Sequence, residues 1–238
     1  MKIEIWSDVM CPFCYIGKRH LEQALTELPF KGEVDINWKS YQLNPEYNNE
    51  GGESLYDYLS TNKGISLEQA KQMTSQVAEM ASNVGLKLDF ENSIPANSFN
   101  AHRLIHFAAS KGKQDLAEEE LFKAHFEQGK NIDDNHALLE IAASLGLDVE
   151  EAKSVLEGDA FTEEVRYDIY ESQQLGVRGV PFFVMDRKYA LSGAQPVDAF
   201  KQAITQSYNE WKVAPENSSL KSLNTAKDNS CDENGGEV

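Results

Sequence analysis

Cysteine is scarce: Cys11, Cys14 and Cys231 are the 3 in a chain of 238 residues, too few for the multi-bridge framework of a small secreted domain. Basic residues are scarce as well. The 22 Lys and Arg stand against 39 Asp and Glu, a formal net charge of -17, which repels a phosphate backbone or an anionic bilayer at long range. Nucleic acid and membrane are therefore not expected partners. No apolar run approaches the roughly 18 residues a bilayer span requires, and no leader-like segment precedes the strand-like Lys2-Ile3-Glu4-Ile5-Trp6. A second Cys-x-x-Cys or a paired-histidine motif that could complete a zinc site is missing too, so no metal is expected. What is present is an ordinary globular composition, 41% hydrophobic and 10% aromatic, in a length that suits one large domain or a compact domain with an insertion. The expected setting is a reducing, cytoplasmic compartment, where Cys11 and Cys14, three positions apart, read as catalytic rather than structural.

Ile3 to Trp6 alternates apolar and charged residues before Ser7-Asp8 breaks the pattern ahead of Cys11-Pro12-Phe13-Cys14, which predicts a strand, a tight loop and a helix start. Pro12 suits the first helical turn, and Ile16, Leu21, Leu25 and Leu28 form an apolar stripe closed by Pro29. Val34 to Leu43 alternates again and ends at Asn44-Pro45. From about Ser54 to Leu175 the pattern is helical. A capping box at Ser66 and Gln69 opens one helix; others are predicted over Phe99 to Ser110, Leu116 to Glu127, Asp134 to Leu145, Val149 to Glu157 and Phe161 to Leu175, with Gly112, Gly129, Gly146 and Gly158 as stops. Val180 to Met185 and Tyr189 to Gly193 read as a hairpin turning at Asp186-Arg187-Lys188, and Gln195 to Trp211 as a final helix.

Removing the helical block leaves β-α-β followed by β-β-α. This predicts an α/β, thioredoxin-like fold, a mixed sheet flanked by helices, with residues 1–50 and 176–212 forming a discontinuous domain around an inserted all-α domain at 51–175. Residues 213–238 are rich in Asn, Ser, Asp, Glu and Gly and are expected to be a disordered tail.

A Cys-x-x-Cys pair alone is weak evidence. Placed directly after a strand at the start of a helix, Cys11 meets free backbone amides and the positive end of the helix dipole, which favour a thiolate, the nucleophilic form. Cys11 is thus the expected nucleophile on an exposed helix terminus, and Cys14, one turn inside, the resolving thiol. Pro12 and Phe13 between them carry no charge. Gly179-Val180-Pro181-Phe182-Phe183 adds an independent signal, because proline opening an apolar strand removes a ladder hydrogen bond. A cis Val180-Pro181 bond facing the cysteines would leave the Val180 backbone free to pair with an extended substrate. Pro12, Phe13 and Val180 are accordingly the expected substrate-facing positions, and Pro181 joins the cysteines in the catalytic set. His20, His106, His125 and His136 sit in no spacing that a proton relay requires and are expected to be solvated or packed.

Ser-Asp-Val-Met-Cys-Pro-Phe-Cys-Tyr-Ile-Gly at 7–17, Ala-His-Arg-Leu at 101–104, and Gly-Val-Arg-Gly-Val-Pro-Phe-Phe-Val at 176–184 followed by Ser-Gly-Ala-Gln at 192–195 together resemble the DsbA-family oxidoreductases of the FrnE-like branch. The likeness runs over residues 1–211. It implies a thioredoxin fold with an inserted helical domain, a redox centre at Cys11 and Cys14, a cis proline at Pro181, and Asn97 and His102 near the mouth of the cleft between domains, where they would meet substrate. Some FrnE-like proteins carry a second cysteine pair in a C-terminal extension; Cys231 stands alone here. The implied activity is thiol–disulfide exchange with protein or small-molecule thiols and disulfides, with no tightly bound cofactor and glutathione as a candidate co-substrate. The alternative is a glutathione-dependent isomerase or transferase of the same fold, of the 2-hydroxychromene-2-carboxylate isomerase or kappa-class type. Those relatives use serine where this chain has Cys11, which favours the redox reading.

Overall fold

The computed structural model describes residues 1–48 and 52–213. The tail expected beyond Val213, and Cys231 with it, lies outside the described residues. In chain order the elements are β1 (Lys2–Ser7), α1 (Pro12–Thr26), a 3-10 turn (Lys31–Glu33), β2 (Asp35–Ser40), α2 (Leu55–Lys63), α3 (Leu67–Ser82), α4 (Phe99–Ser110), α5 (Gln114–Phe126), α6 (Asn135–Ser144), α7 (Val149–Glu157), α8 (Thr162–Gln174), β3 (Phe182–Met185), β4 (Tyr189–Ser192) and α9 (Val197–Val213). The strands form one mixed sheet in the order β2-β1-β3-β4. β1 runs parallel to β2 and antiparallel to β3, and β3 antiparallel to β4. This is the thioredoxin-like arrangement, with helices α2 to α8 entering the chain between β2 and β3.

Strand alternation explains how the sheet is covered. Ile3 and Ile5 share a face with their partners Trp38, Met185 and Phe183, and on it Leu21 and Ala24 of α1 and Phe200 and Ile204 of α9 close an apolar core. Every residue of β1 from Ile3 to Ser7 is buried, so the opposite face is covered too. There α8 lies across the sheet: Trp6 donates from Nε1 to the Asp168 carbonyl at 2.9 Å, and the Asp168 carboxylate accepts from Lys39 Nζ at 2.7 Å and from the Ser40 amide at 3.0 Å.

Local chemistry sets the ends of the elements. Ser66 Oγ accepts from the Gln69 amide at 3.2 Å while Gln69 Oε1 accepts from the Ser66 amide at 2.9 Å, the reciprocal cap that opens α3. Of the glycines expected to stop helices, Gly112, Gly129 and Gly146 take left-handed φ; Gly158 does not. It ends α7 in extended backbone with φ -96. Pairing of Met185 with Tyr189 leaves Asp186 and Arg187 as the centre of the hairpin turn, both left-handed at φ 50 and 55, the sense that matches strand twist. Among the described residues, no helix is long and apolar enough to cross a membrane.

Candidate active site

The pairing of β1 determines what meets at its C-terminal end. Ser7 pairs with Ser40 of β2 and Trp6 with Phe182 of β3, so the loops after β1 and β2 and the loop before β3 converge there. The Asp8 carbonyl accepts from the Cys11 amide at 2.8 Å, a tight turn that delivers Cys11 as the residue capping α1, with Pro12 in the first helical turn. On the facing loop the Val180–Pro181 peptide is cis, and Cys11 Sγ lies 3.5 Å from the Val180 carbonyl oxygen as a thiol donor. Cys11 and Cys14 are both free thiols.

The two sulfurs have different surroundings, although not as expected in one respect. Cys11 is not on an exposed terminus: it is 5% exposed, and its side chain accepts no hydrogen bond from the helix amides. The β1–β3 pairing presses the Val180–Pro181 segment against it and turns the sulfur toward the Val180 carbonyl. Cys14 is fully buried, and burial, followed by the neighbouring Cys11, pushes its thiol well above the ordinary range, with the Asp8 amide and the Ser7 hydroxyl pulling the other way. Around Cys11, Phe13 and Leu43 are exposed and Pro12, Met10 and Val180 half-buried, leaving a low apolar rim. Gly17, one turn into α1, keeps that geometry close, since a Cβ there would lie 3.1 Å from Pro181 Cγ and from Phe183 Cζ.

Asp8 is one residue that sequence reasoning missed. Its carboxylate accepts from the Met10 amide at 3.1 Å and from the Leu43 amide at 2.7 Å, tying the cysteine loop to the segment after β2. The only advance signal was that Ser7-Asp8 interrupts the alternation of β1. His102 stands beside it, 3.7 Å from the carboxylate, with Nε2 at 2.8 Å from the Tyr41 carbonyl. Burial pulls His102 down, yet Asp8, then Glu118 and the Tyr41 carbonyl, raise it above its ordinary value. His102 does not line the cleft mouth as expected: it is 2% exposed, because α4 packs it beneath the Tyr41 segment, where it supports Asp8 and cannot touch substrate. Asn97 is half-buried and spends its amide on its own chain, accepting from Gln42 Nε2 and the Phe99 amide and donating to the Pro45 and Tyr47 carbonyls. It holds the 42–47 loop in place.

Behind the sulfurs the inserted helices contribute a second, unforeseen layer. Ser7 Oγ donates to Glu118 Oε1 of α5 at 2.6 Å, and burial lifts the Glu118 carboxyl to about 7 against the lowering pull of Ser7 and His102. His125 packs edge-on against Phe126 at 4.4 Å, and burial depresses it to about 4 despite Asp8. The packing role expected for this histidine fits that place. Tyr15 stacks on Phe122 at 4.8 Å and donates to Glu119 at 2.9 Å, while Lys18, 2% exposed, is held by Glu22, Asp115 and Glu119.

A thioredoxin-type sheet, a cysteine pair opening the first helix and a proline loop facing it define a thioredoxin-fold protein of the DsbA kind. The model of the DSBA-like thioredoxin domain matches residues 2–205, and the chain belongs to that family. Among relatives, the uncharacterized protein YwbO of Bacillus subtilis (strain 168) is 28% identical over 206 residues, covering 85% of this chain and 95% of its own length. Among solved structures, a "probable DsbA oxidoreductase" of Streptomyces coelicolor superposes with a TM-score of 0.84 at 36% identity, covering 88% of this chain and 91% of that one. The cytosolic disulfide reductase DsbM of Pseudomonas aeruginosa, also solved with glutathione, shares the fold with a TM-score of 0.62 at 17% identity, over 88% of this chain and 100% of its own.

Proposed function

We propose that this protein is a thiol–disulfide oxidoreductase working through Cys11 and Cys14. The observation that carries the reading is the inequality of the two sulfurs: Cys11 at the helix start under the Val180 carbonyl, half-ringed by apolar side chains, and Cys14 fully buried behind it. Loss of the Cys11 proton removes the donor to the Val180 carbonyl and leaves a thiolate at the positive end of α1. That thiolate attacks one sulfur of a substrate disulfide, forming a mixed disulfide and expelling the other sulfur as a thiolate. Cys14 then attacks Cys11 Sγ and gives up its proton. The second substrate thiolate leaves, the substrate is reduced by two electrons and the Cys11–Cys14 disulfide forms; the same steps reversed oxidise a dithiol.

Substrate docking is assigned to the rim of Pro12, Phe13 and Val180. The Val180 amide has no partner among the described residues and suits an extended peptide paired alongside it. The apolar rim on an acidic chain suits a protein segment without strong negative charge. Glutathione is the small thiol we assign as co-substrate, in a reducing compartment, a choice supported by the paucity of cysteine and by the glutathione complex of DsbM. Cysteine rather than serine at position 11 speaks against the isomerase or transferase alternative.

Insulin reduction by dithiothreitol, followed as turbidity beside a glutathione-conjugation assay, tests the reading. The parent chain should accelerate insulin reduction and Cys11→Ser should not. Conjugation without insulin reduction, or full insulin reduction by Cys11→Ser, would overturn it.

A further inference from the structure

The segment facing Cys11 carries a charge that the molecule itself does not use. With 39 Asp and Glu against 22 Lys and Arg, an arginine in this chain readily finds a carboxylate. Arg19 pairs with Glu22 and Glu119, Arg166 with Glu163, and Arg187 with Glu4 and Glu171. Arg103 donates to the Asn100 side chain and to carbonyls between Val155 and Ala160. Arg178 differs: it is exposed and has no hydrogen bond, ion pair or ring contact among the described residues.

Its place makes that isolation informative. Arg178 stands two positions before Val180, whose carbonyl meets Cys11 Sγ at 3.5 Å, and two residues of extended chain span at most about 7 Å. The backbone on either side is pinned, by the Val177 amide donating to the Ser172 carbonyl at 2.9 Å and by the Gly193 amide donating to the Pro181 carbonyl at 2.8 Å. Between Arg178 and Val180 the space is open, since a Cβ at Gly179 would meet nothing within 4 Å. Competing acids are absent from the segments that frame the sulfur: no Asp or Glu occurs over 9–21, 172–185 or 187–197. The cations of the first, Lys18 and Arg19, are taken by Glu22, Asp115 and Glu119. Asp8 is held by the Met10 and Leu43 amides. After β2, as far as Asn48, Glu46 is the one acid, and it is exposed.

We propose that Arg178 selects the substrate by receiving a carboxylate carried beside the reacting sulfur of a small disulfide, of which glutathione disulfide is the example. A guanidinium fork matches a carboxylate with two parallel hydrogen bonds. A substrate paired antiparallel along the Val180 amide runs its C-terminal side toward Arg178, the side on which the glycine carboxylate of glutathione follows its cysteine. The net charge of the chain repels such an anion, but at physiological ionic strength that field is screened within about 8 Å, and a cation beside the sulfur then decides. In the exchange the Cys11 thiolate attacks one sulfur and the first glutathione leaves as thiolate. Cys14 then displaces the second, so the cysteine pair is oxidised by two electrons, and its protons pass through solvent to the two glutathione thiols.

This assignment rests on the disulfide-exchange reading, and the choice of oxidant separates the two. The reduced full-length chain is mixed with anionic glutathione disulfide, neutral hydroxyethyl disulfide or cationic cystamine, at low salt and at about 1 M salt, where screening acts within about 3 Å. Formation of the Cys11–Cys14 disulfide is followed by acid quenching and mass spectrometry. In the parent chain the rate constant for glutathione disulfide, taken relative to hydroxyethyl disulfide, should fall as salt rises, because a local attraction is being screened. An acidic chain without a cation at the site would repel this anion, and the same ratio would rise. In Arg178→Ala the ratio at low salt should drop about fivefold, the size of an exposed ion pair, and its salt dependence should change sign. Arg178→Lys should keep the parent's sign, and Arg178→Glu should shift the preference toward cystamine. An unchanged ratio in Arg178→Ala, or a parent ratio that rises with salt, would overturn the assignment. If a variant fails to fold, the salt dependence of the parent decides alone. Failure of all three oxidants to form the disulfide in the parent overturns the exchange reading and the assignment together, whereas oxidation by hydroxyethyl disulfide without a charge preference overturns the assignment only.

Discussion

Gly17 shows how one residue controls the distance between the two halves of the site. Its φ is not left-handed, so the demand is for space: a methyl group there meets the Pro181 ring and the buried Phe183 ring, each at 3.1 Å. Alanine gains about 1 kcal/mol in helix propensity, while overpacking a tight site costs about 1–3 kcal/mol. Gly17→Ala should therefore lose about 1 kcal/mol by chemical denaturation and slow exchange by moving Pro181 off Cys11; unchanged stability and rate would show that the contact yields freely. Glu118 makes a second prediction, in pH. Its folded-state affinity lies near 7 rather than at the ordinary 4.5, so between those values the folded chain holds a proton that the unfolded chain has released. Stability should fall as pH rises through that window, and Glu118→Gln should remove this component of the denaturation profile. A profile identical in both chains would contradict it. Cys11, Cys14, Val180 and Pro181 were legible because their signals are local: a strand, a helix start, a proline opening a strand. Glu118 was not, since its partner Ser7 lies 111 positions away and nothing in Ala-Glu-Glu-Glu-Leu at 117–121 says which acid turns inward.

Among the elements, α8 is tied to β2 by two carboxylates, Asp168 and Glu171, of which Asp168 is the more buried. Asp168 is 2% exposed and accepts from Lys39, the Ser40 amide and His106. Burial works against its charge, but the hydrogen bonds from His106, Lys39 and Ser40 outweigh it and hold the carboxyl below the ordinary range. The stability it contributes is present above the ordinary carboxylate pKa and is lost as pH falls through the lowered folded value. Asp168→Asn leaves Lys39 with Glu171 as its remaining carboxylate and removes the buried charge that Lys39, His106 and the Ser40 amide share, which should cost about 3 kcal/mol, measurable as a shift in the urea midpoint; a loss under about 1 kcal/mol would mean that Glu171 and water replace the carboxylate. The same elements show why helices were read better than their roles. Periodicity predicts α4 over Phe99–Ser110 and α7 over Val149–Glu157 as they are observed. The α1 stripe was read from Ile16, Leu21, Leu25 and Leu28, yet its opposite side is buried as well, at Tyr15 and Lys18, because α5 packs there with Asp115 and Glu119. Hydrophobic spacing cannot announce a buried lysine whose partners come from a helix about 100 positions later.

For the whole molecule, the fold order followed from reading two strand-rich ends around a helical middle, and the family match over residues 2–205 agrees with that order. What the order could not show is that the inserted helices close over the cysteines, supplying Glu118, His102 and the ring stack on Tyr15. All described contributors to the site lie between Ser7 and Pro181. Removing residues 214–238 should therefore leave disulfide exchange within about tenfold of the full chain, or 1.4 kcal/mol in barrier height; a larger loss in the insulin assay would give Cys231 a part in turnover. The measurement that bears most directly on the central claim is trapping of the mixed disulfide. Cys11→Ser, Cys14→Ser and the parent chain, each reduced and offered a disulfide-bonded protein, are separated on non-reducing gels and identified by mass spectrometry. With Cys11 as nucleophile and Cys14 as resolving thiol, Cys14→Ser should accumulate a substrate adduct on Cys11, the parent should show it only fleetingly, and Cys11→Ser should form none. Adducts in equal amount on both variants, or on neither, would contradict the account.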